Sequence, residues 1–173
     1  MIKHAKNIVT QDINGNPFDL STLAGKKILL TFYRDAYCPF CNLRIKEITK
    51  LQDEFGKYNA MMVGIFNSTA TEIIKHNKKR NFNLWMIADP ENKLYKEYNI
   101  SRSYTGMLKA FLRIKRMIQF TMAGYFTLKS LTKSPLLPVD FLIDENQNIV
   151  KSYYGKDFGD HMPINEILNF IKQ

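Results

Sequence analysis

"KKILLTFY", residues 26–33, constrains this chain more than any other stretch. After its two lysines it is continuously apolar, with no polar residue on every second position. A strand with one wet face alternates, so a run like this needs cover on both faces. "AMMVGIF" (60–66) repeats the pattern, and "LWMIAD" (84–89) reads as a shorter strand or extended segment. Helical stretches lie between them. In "CPFCNLRIKEITKLQDEFGKYN" (38–59), Leu43, Ile45, Ile48, Leu51 and Phe55 follow helical spacing, with Pro39 in the first turn and Gly56 as the stop. "TATEIIKHNKKRNF" (69–82) reads as a helix capped by Ser68 or Thr69, and "PENKLYKEYNI" (90–100) as one opened by Pro90. Near the start, Asn14-Gly15 signals a hairpin. At the other end, "VDFLIDENQNIVKSYYG" (139–155) reads as strand, turn at Glu145 to Asn148, and strand. "PINEILNFIKQ" (163–173) closes the chain as a helix with Ile164, Ile167, Leu168 and Ile171 inward and Pro163 at its first position. Strands alternating with helices predict right-handed parallel crossovers, and the closing strand pair predicts an antiparallel edge. The expected architecture is a three-layer α/β sandwich with a mixed central sheet.

The 173 residues suffice for one domain with a substantial core, and 45% hydrophobic composition excludes a disordered chain. The early lysines of "MIKHAKNIVTQDINGN" precede no apolar run, which predicts no secretory leader and a cytoplasmic setting. The net charge of +9 is unevenly spread. No acidic residue lies between Glu97 and Asp140, a gap that holds Arg102, Lys109, Arg113, Lys115, Arg116, Lys129 and Lys133.

"YCPFC" (37–41) contains both cysteines of the chain, at the junction of a buried strand and a helix. Attack on a disulfide or a peroxide needs a thiolate, and a free cysteine, pKa about 8.5, is mostly protonated at neutral pH. A helix N-terminus favours the anion through its unpaired N–H groups and dipole. Cys38 sits there, and Cys41 lies one turn deeper on the same face, placed to attack whatever Cys38 has bonded. The residues point to Cys38 as attacking thiol and Cys41 as resolving thiol. A structural zinc site would need four ligands, and His4, His76 and His161 have no partners at ligand spacing, so no metal is expected. Two inert buried thiols are the remaining alternative. The reading requires the two sulfurs to be neighbours and not walled off from both solvent and the segment before "FLID".

"NGNPFDLSTLAGKKILLTFYRDAYCPFC", "LWMIADPENKLYKEYNI" and "LPVDFLIDENQNIVKSYYGKDFGDHMPINEIL" resemble the AhpC/TSA superfamily of thioredoxin-like proteins, in its peroxiredoxin-like branch with a CxxC dithiol. The resemblance covers nearly the whole chain. It implies one thioredoxin-like domain (1–173) with a helical insertion at 101–134. It also implies a redox-active Cys38–Cys41 disulfide with no other cofactor, and regeneration by an external dithiol donor of thioredoxin or glutathione type. Disulfide or hydroperoxide is the implied substrate. Pro138 matches a proline that the family places in cis, facing the dithiol. The chain departs from a typical peroxiredoxin three residues before Cys38, where Asp35 replaces a hydroxyl residue and no proline precedes it. An inward carboxylate would oppose the thiolate unless Arg34 compensated; a solvated Asp35 is the expectation. The departure favours thiol–disulfide exchange over peroxide reduction. Tyr37 and Pro39 flank the thiols as supporting residues.

In 103–131, Met107, Phe111, Ile114, Ile118, Met122, Tyr125 and Leu128 form an apolar stripe, with Lys109, Arg113 and Arg116 on another side and a break expected near Gly124. Packing of the stripe on the domain or on a second copy is expected ahead of contact with an anionic membrane surface; nucleic acid is not expected. Charges interrupt every stretch of spanning length. In "GKDFGDHMP" (155–163), Asp160 or Met162 is expected to cap the final helix. His161 is expected at the surface, with proton transfer as the alternative.

Overall fold

A computed structural model describes residues 4–77 and 84–173. A small hairpin comes first, β1 (Val9–Gln11) antiparallel to β2 (Pro17–Asp19). The main sheet has five strands: β3 (Lys27–Tyr33), β4 (Ala60–Phe66), β5 (Trp85–Ala88), β6 (Val139–Ile143) and β7 (Ile149–Tyr154), in the order β5-β4-β3-β6-β7. The pairs β3–β4 and β4–β5 are parallel, while β3–β6 and β6–β7 are antiparallel. The continuous apolar run of β3 thus occupies the centre of a mixed sheet, as its two-faced hydrophobicity requires.

Strand alternation sorts the core into two faces. Ile28, Leu30 and Phe32 pack with Val63, Ile65, Phe141 and, from α4 (Lys93–Glu97), Tyr95. Leu29 and Tyr33 point the other way. They meet α1 (Pro39–Thr49), α2 (Gln52–Lys57), α3 (Ala70–Asn77) and α7 (Ile164–Lys172) through Ile45, Ile48, Phe55, Ile73 and Ile167. Each fully buried large side chain contributes roughly 2–3 kcal/mol.

Several boundaries differ from the sequence reading. The hairpin at Asn14-Gly15 forms, but only Gly15 has positive φ (87°), because Asp12 Oδ1 accepts both the Asn14 and Asn16 N–H at 2.8 Å and shapes a longer loop. The 38–59 helix breaks at Lys50–Leu51, and its second half runs through Gly56 to end beside Asn59, whose φ is 50°. Thr69 and Glu72 cap α3 reciprocally, Thr69 N donating to Glu72 Oε2 at 3.0 Å and Glu72 N to Thr69 Oγ1 at 3.3 Å. The remainder of the 69–82 helix lies outside the described residues. Asp89, not Pro90, opens α4, its carboxylate accepting from the N–H groups of Lys93, Leu94 and Tyr95 at 2.8–3.2 Å. Pro163 is the N-cap of α7, and neither Asp160 nor Met162 caps it.

The basic segment differs most. It forms α5 (Tyr104–Phe111), α6 (Ile114–Met122) and a short 3-10 turn (Leu128–Thr132). Gly124, at φ 70°, stops α6 as expected, but the earlier break at Leu112–Arg113 changes the phase of the helical face. Ile114, Ile118 and Met122 therefore face outward, while Phe120 is buried and Met117 half-buried. Arg113 and Arg116 turn toward the domain instead. Arg113 pairs with Asp157 at 2.7 Å and Asp160 at 3.3 Å, and Arg116 pairs with Glu47 on α1. Carboxylates on the body set the phase of α6, which the stripe alone could not reveal.

Candidate active site

The strand β3 delivers Arg34 and Asp35 at its end, and the turn places Cys38 as the N-cap of α1. Pro39 takes the first helical position, where its missing N–H has no intrahelical partner to lose. Tyr95 anchors the strand ends beneath this turn, its hydroxyl in reach of the Tyr33 and Ile65 carbonyls. Asn42 braces the turn from the helix, its Nδ2 donating to the carbonyls of Ala36 (3.1 Å) and Cys38 (2.9 Å). Ser68 Oγ accepts the Ala36 N–H at 3.0 Å.

Cys38 and Cys41 are free thiols in one cluster, and the Cys41 N–H donates to Cys38 Sγ at 3.5 Å. Their environments are unequal. Burial opposes ionisation of Cys38, and Asp35 adds to that. A hydrogen bond from the Cys41 side chain, the Arg34 guanidinium and the Cys41 amide prevail, and hold Cys38 below the usual cysteine range. Burial, then donation to Cys38 and the proximity of that second sulfur, push Cys41 well above it.

Asp35 is buried, not solvated. It lies 3.5 Å from Arg34 Nε, accepts the Tyr37 N–H on Oδ1 at 2.8 Å, and accepts Ser130 Oγ–H on Oδ2 at 3.1 Å. Burial still raises its pKa against these partners. Arg34 donates to Ser130 Oγ at 2.8 Å, to the Ser134 carbonyl at 3.0 Å and to the Ser130 carbonyl, and stacks 4.3 Å from the centre of the Phe158 ring. The insertion thus closes over the pair, and Ser130 bridges both charges. Tyr37 is half-buried, with Lys129 and Lys133 Nζ at 5.5 and 5.8 Å from its ring centre.

Exposure is where the site departs from expectation. Cys38 has 0% and Cys41 1% of its surface accessible. Ala110 and Phe120 of the insertion share their cluster, and Phe120 stands edge-on to Phe40 at 5.0 Å. Both sulfurs are closed to solvent, and Leu137, from the segment before β6, packs against the cluster that contains them. Pro138 is buried, and its peptide bond is trans rather than cis. Trans is the favoured isomer by roughly 0.5–1 kcal/mol. The flanking hydrogen bonds, Leu137 N to the Ser101 carbonyl (3.1 Å) and Gly155 N to the Pro138 carbonyl (2.9 Å), form with it.

The side chain of His161 is likewise buried, 4% exposed. Its Nδ1 lies 3.2 Å from Oδ2 of Asp140, and its ring 5.8 Å from that of Tyr33. Asp140 also accepts Thr31 Oγ1–H (2.7 Å) and the Met162 N–H (2.8 Å). Burial opposes its charge, but His161, Arg44 and the Met162 amide outweigh that and hold it at about 2. A charged residue inside the otherwise apolar "VDFLI" was the readable sign of this cluster. Ser130 and Ser68 left no such sign. A cavity of about 220 Å³ beside it is lined by Phe40, Arg44, Arg116 and His161 among others.

The AhpC/TSA family model matches residues 1–152. A Helicobacter pylori protein named "Putative peroxiredoxin bcp" is 34% identical over 88 residues, which span 49% of this chain and 58% of that one. The structure resembles peroxidoxin BcpB from Mycobacterium tuberculosis with a TM-score of 0.71 at 19% identity, covering 99% of this chain and 97% of that one. It also resembles a Chlorobium tepidum protein titled "putative Thiol:disulfide interchange protein DsbE", with a TM-score of 0.66 at 13% identity over 98% and 96% of the two chains. The five-stranded mixed sheet flanked by helices is the thioredoxin fold of these neighbours. With its family model matched from the first residue through most of β7, the chain belongs to the AhpC/TSA family.

Proposed function

We propose that this chain is a peroxiredoxin-like dithiol oxidoreductase in which Cys38 attacks and Cys41 resolves. The observation that carries it is geometric: Cys38 caps α1, its sulfur accepts the Cys41 N–H at 3.5 Å, and Cys41 follows in the first turn, so that Cys38 is favoured as the anion over Cys41. In exchange, Cys38 thiolate attacks a substrate disulfide and one substrate thiolate leaves. Bonding removes the negative charge from Cys38, and with it two of the causes that keep Cys41 protonated. Cys41 then loses its proton and attacks Cys38 Sγ. The mixed disulfide breaks, the second substrate thiol departs, and Cys38–Cys41 holds the disulfide. The substrate has gained two electrons, which an external dithiol restores to the chain.

Peroxide reduction is the second reading, favoured by the peroxiredoxin name of the Helicobacter relative. Here Cys38 attacks the outer oxygen of a hydroperoxide, the O–O bond breaks and the alcohol leaves. Cys41 then displaces water from the sulfenic acid to give the same disulfide. The hydroxyl missing at position 35 is present nearby on Ser130, hydrogen-bonded to Asp35 and Arg34.

Cys41→Ser is expected to trap mixed disulfides with a model disulfide substrate, and Cys38→Ser to show no exchange. Equal residual turnover in the two variants contradicts the roles. Stopped-flow mixing with hydroperoxide separates the readings: a fast thiol-oxidation phase assigns peroxidase, while slow oxidation with rapid disulfide reduction assigns exchange.

A further inference from the structure

Of the twelve large hydrophobic side chains exposed among the described residues, nine lie between Tyr104 and Leu131. Scattered exposed apolar residues need no explanation, but a concentration of them does. On α5 the outward positions are Tyr104, Leu108 and Phe111; on α6 they are Ile114, Ile118 and Met122. These recur at spacings of three and four, so each helix presents one stripe. Leu112, 79% exposed at the corner, joins the two stripes, and Met122, at 84%, extends the second to its end.

The charges that the insertion itself carries are of one sign. The insertion contains no acidic residue, and Arg113, at the N-cap of α6, and Arg116 are engaged inward with Asp157, Asp160 and Glu47. Lys109 and Lys115 stay exposed beside the apolar stripe and make no ion pair among the described residues. A second copy docked here by its own insertion would bring the same lysines and no carboxylate of that insertion to pair with them. An anionic lipid surface supplies what both features need: acyl chains for the stripe and headgroup charge for the lysines. No helix among the described residues is long and apolar enough to cross a membrane, so the fitting geometry is a pair of helices lying flat.

We propose that the outer face of α5 and α6 docks on an anionic membrane surface. The proposal goes beyond the redox reading and does not depend on it. It places the two buried thiols one helical layer from the lipid, because the opposite face of the same helices covers them.

The test is flotation of the full chain with vesicles of phosphatidylcholine alone and of phosphatidylcholine with phosphatidylglycerol, across salt concentrations. Binding is expected with phosphatidylglycerol and is expected to fall as salt rises. Reversing both exposed lysines (Lys109→Glu with Lys115→Glu) should weaken it by at least about tenfold. Leu112→Ser with Ile118→Ser should abolish it, with circular dichroism confirming the fold in each variant. Cys38→Ser should float like the parent chain, so docking and chemistry are read separately. Absence of flotation with phosphatidylglycerol overturns the proposal, as does equal binding by the lysine variant. So does a concentration-dependent dimer in sedimentation that Ile118→Ser dissolves, which would assign the face to a second copy.

Discussion

The amide of Cys41 donates to the sulfur of Cys38 across 3.5 Å, so the helix that carries the second thiol stabilises the anion of the first. An N-cap normally uses a side-chain oxygen for this contact; here a sulfur takes the position. The interaction costs nothing at the moment of reaction, since the turn already holds both groups in place.

Asp35→Asn should lower the pH at which Cys38 ionises. The carboxylate raises the Cys38 pKa and Arg34 lowers it, so neutralising Asp35 leaves the favourable partner alone. An asparagine can still accept the Tyr37 N–H and reach Ser130. The cost is an unpaired buried guanidinium, on the order of 1–3 kcal/mol given the carbonyls that Arg34 keeps. Thiolate absorbance against pH checks the shift, and denaturant unfolding checks the cost.

Phe120→Ala should loosen the cover over the dithiol. Phe120 is 3% exposed and packs edge-on to Phe40. Its truncation is expected to destabilise the domain by about 3–5 kcal/mol. Alkylation of Cys38 at fixed pH should accelerate, and more than unfolding alone accounts for, because the lost contact joins α6 to α1 rather than strand to strand. An unchanged rate would mean that the thiols are reached by another route.

Asp140 should make stability depend on acid. Its folded pKa is depressed to about 2, so its contribution is fully present above the unfolded value near 3.9 and is lost as pH falls through 2. The two values differ by nearly two units, corresponding to roughly 2–3 kcal/mol. Asp140→Asn should be less stable than the parent at neutral pH and show a flatter profile between pH 4 and 2. Thermal unfolding at several pH values measures both.

The sequence and the structure agree where periodicity alone decides the outcome. β4 occupies 60–66 as its apolar run predicts, and Cys38 caps α1 because a buried strand, a turn and a Pro-led helix leave it nowhere else. They disagree where partners distant in sequence decide. Asp35 looked solvated because its partner Ser130 lies 95 residues away. His161 reads as superficial in the sequence because its partner Asp140 sits on β6, 21 residues earlier. The stripe on α6 faces outward because Arg113 and Arg116 find carboxylates on the body, and one helix's pattern contains no record of them. The closure of both thiols follows from the same insertion, whose amphipathic spacing does not say which face is inner.

The account rests on Cys38 being the more acidic thiol, and alkylation against pH, localised by mass spectrometry on the reduced chain, tests that most directly. Opening of the cover limits the absolute rate but should not order the two cysteines. The predicted result is a Cys38 midpoint below the roughly 8.5 of a free thiol, with Cys41 unlabelled until well above it. A Cys38 midpoint at or above that value, or labelling of Cys41 first, would contradict the account.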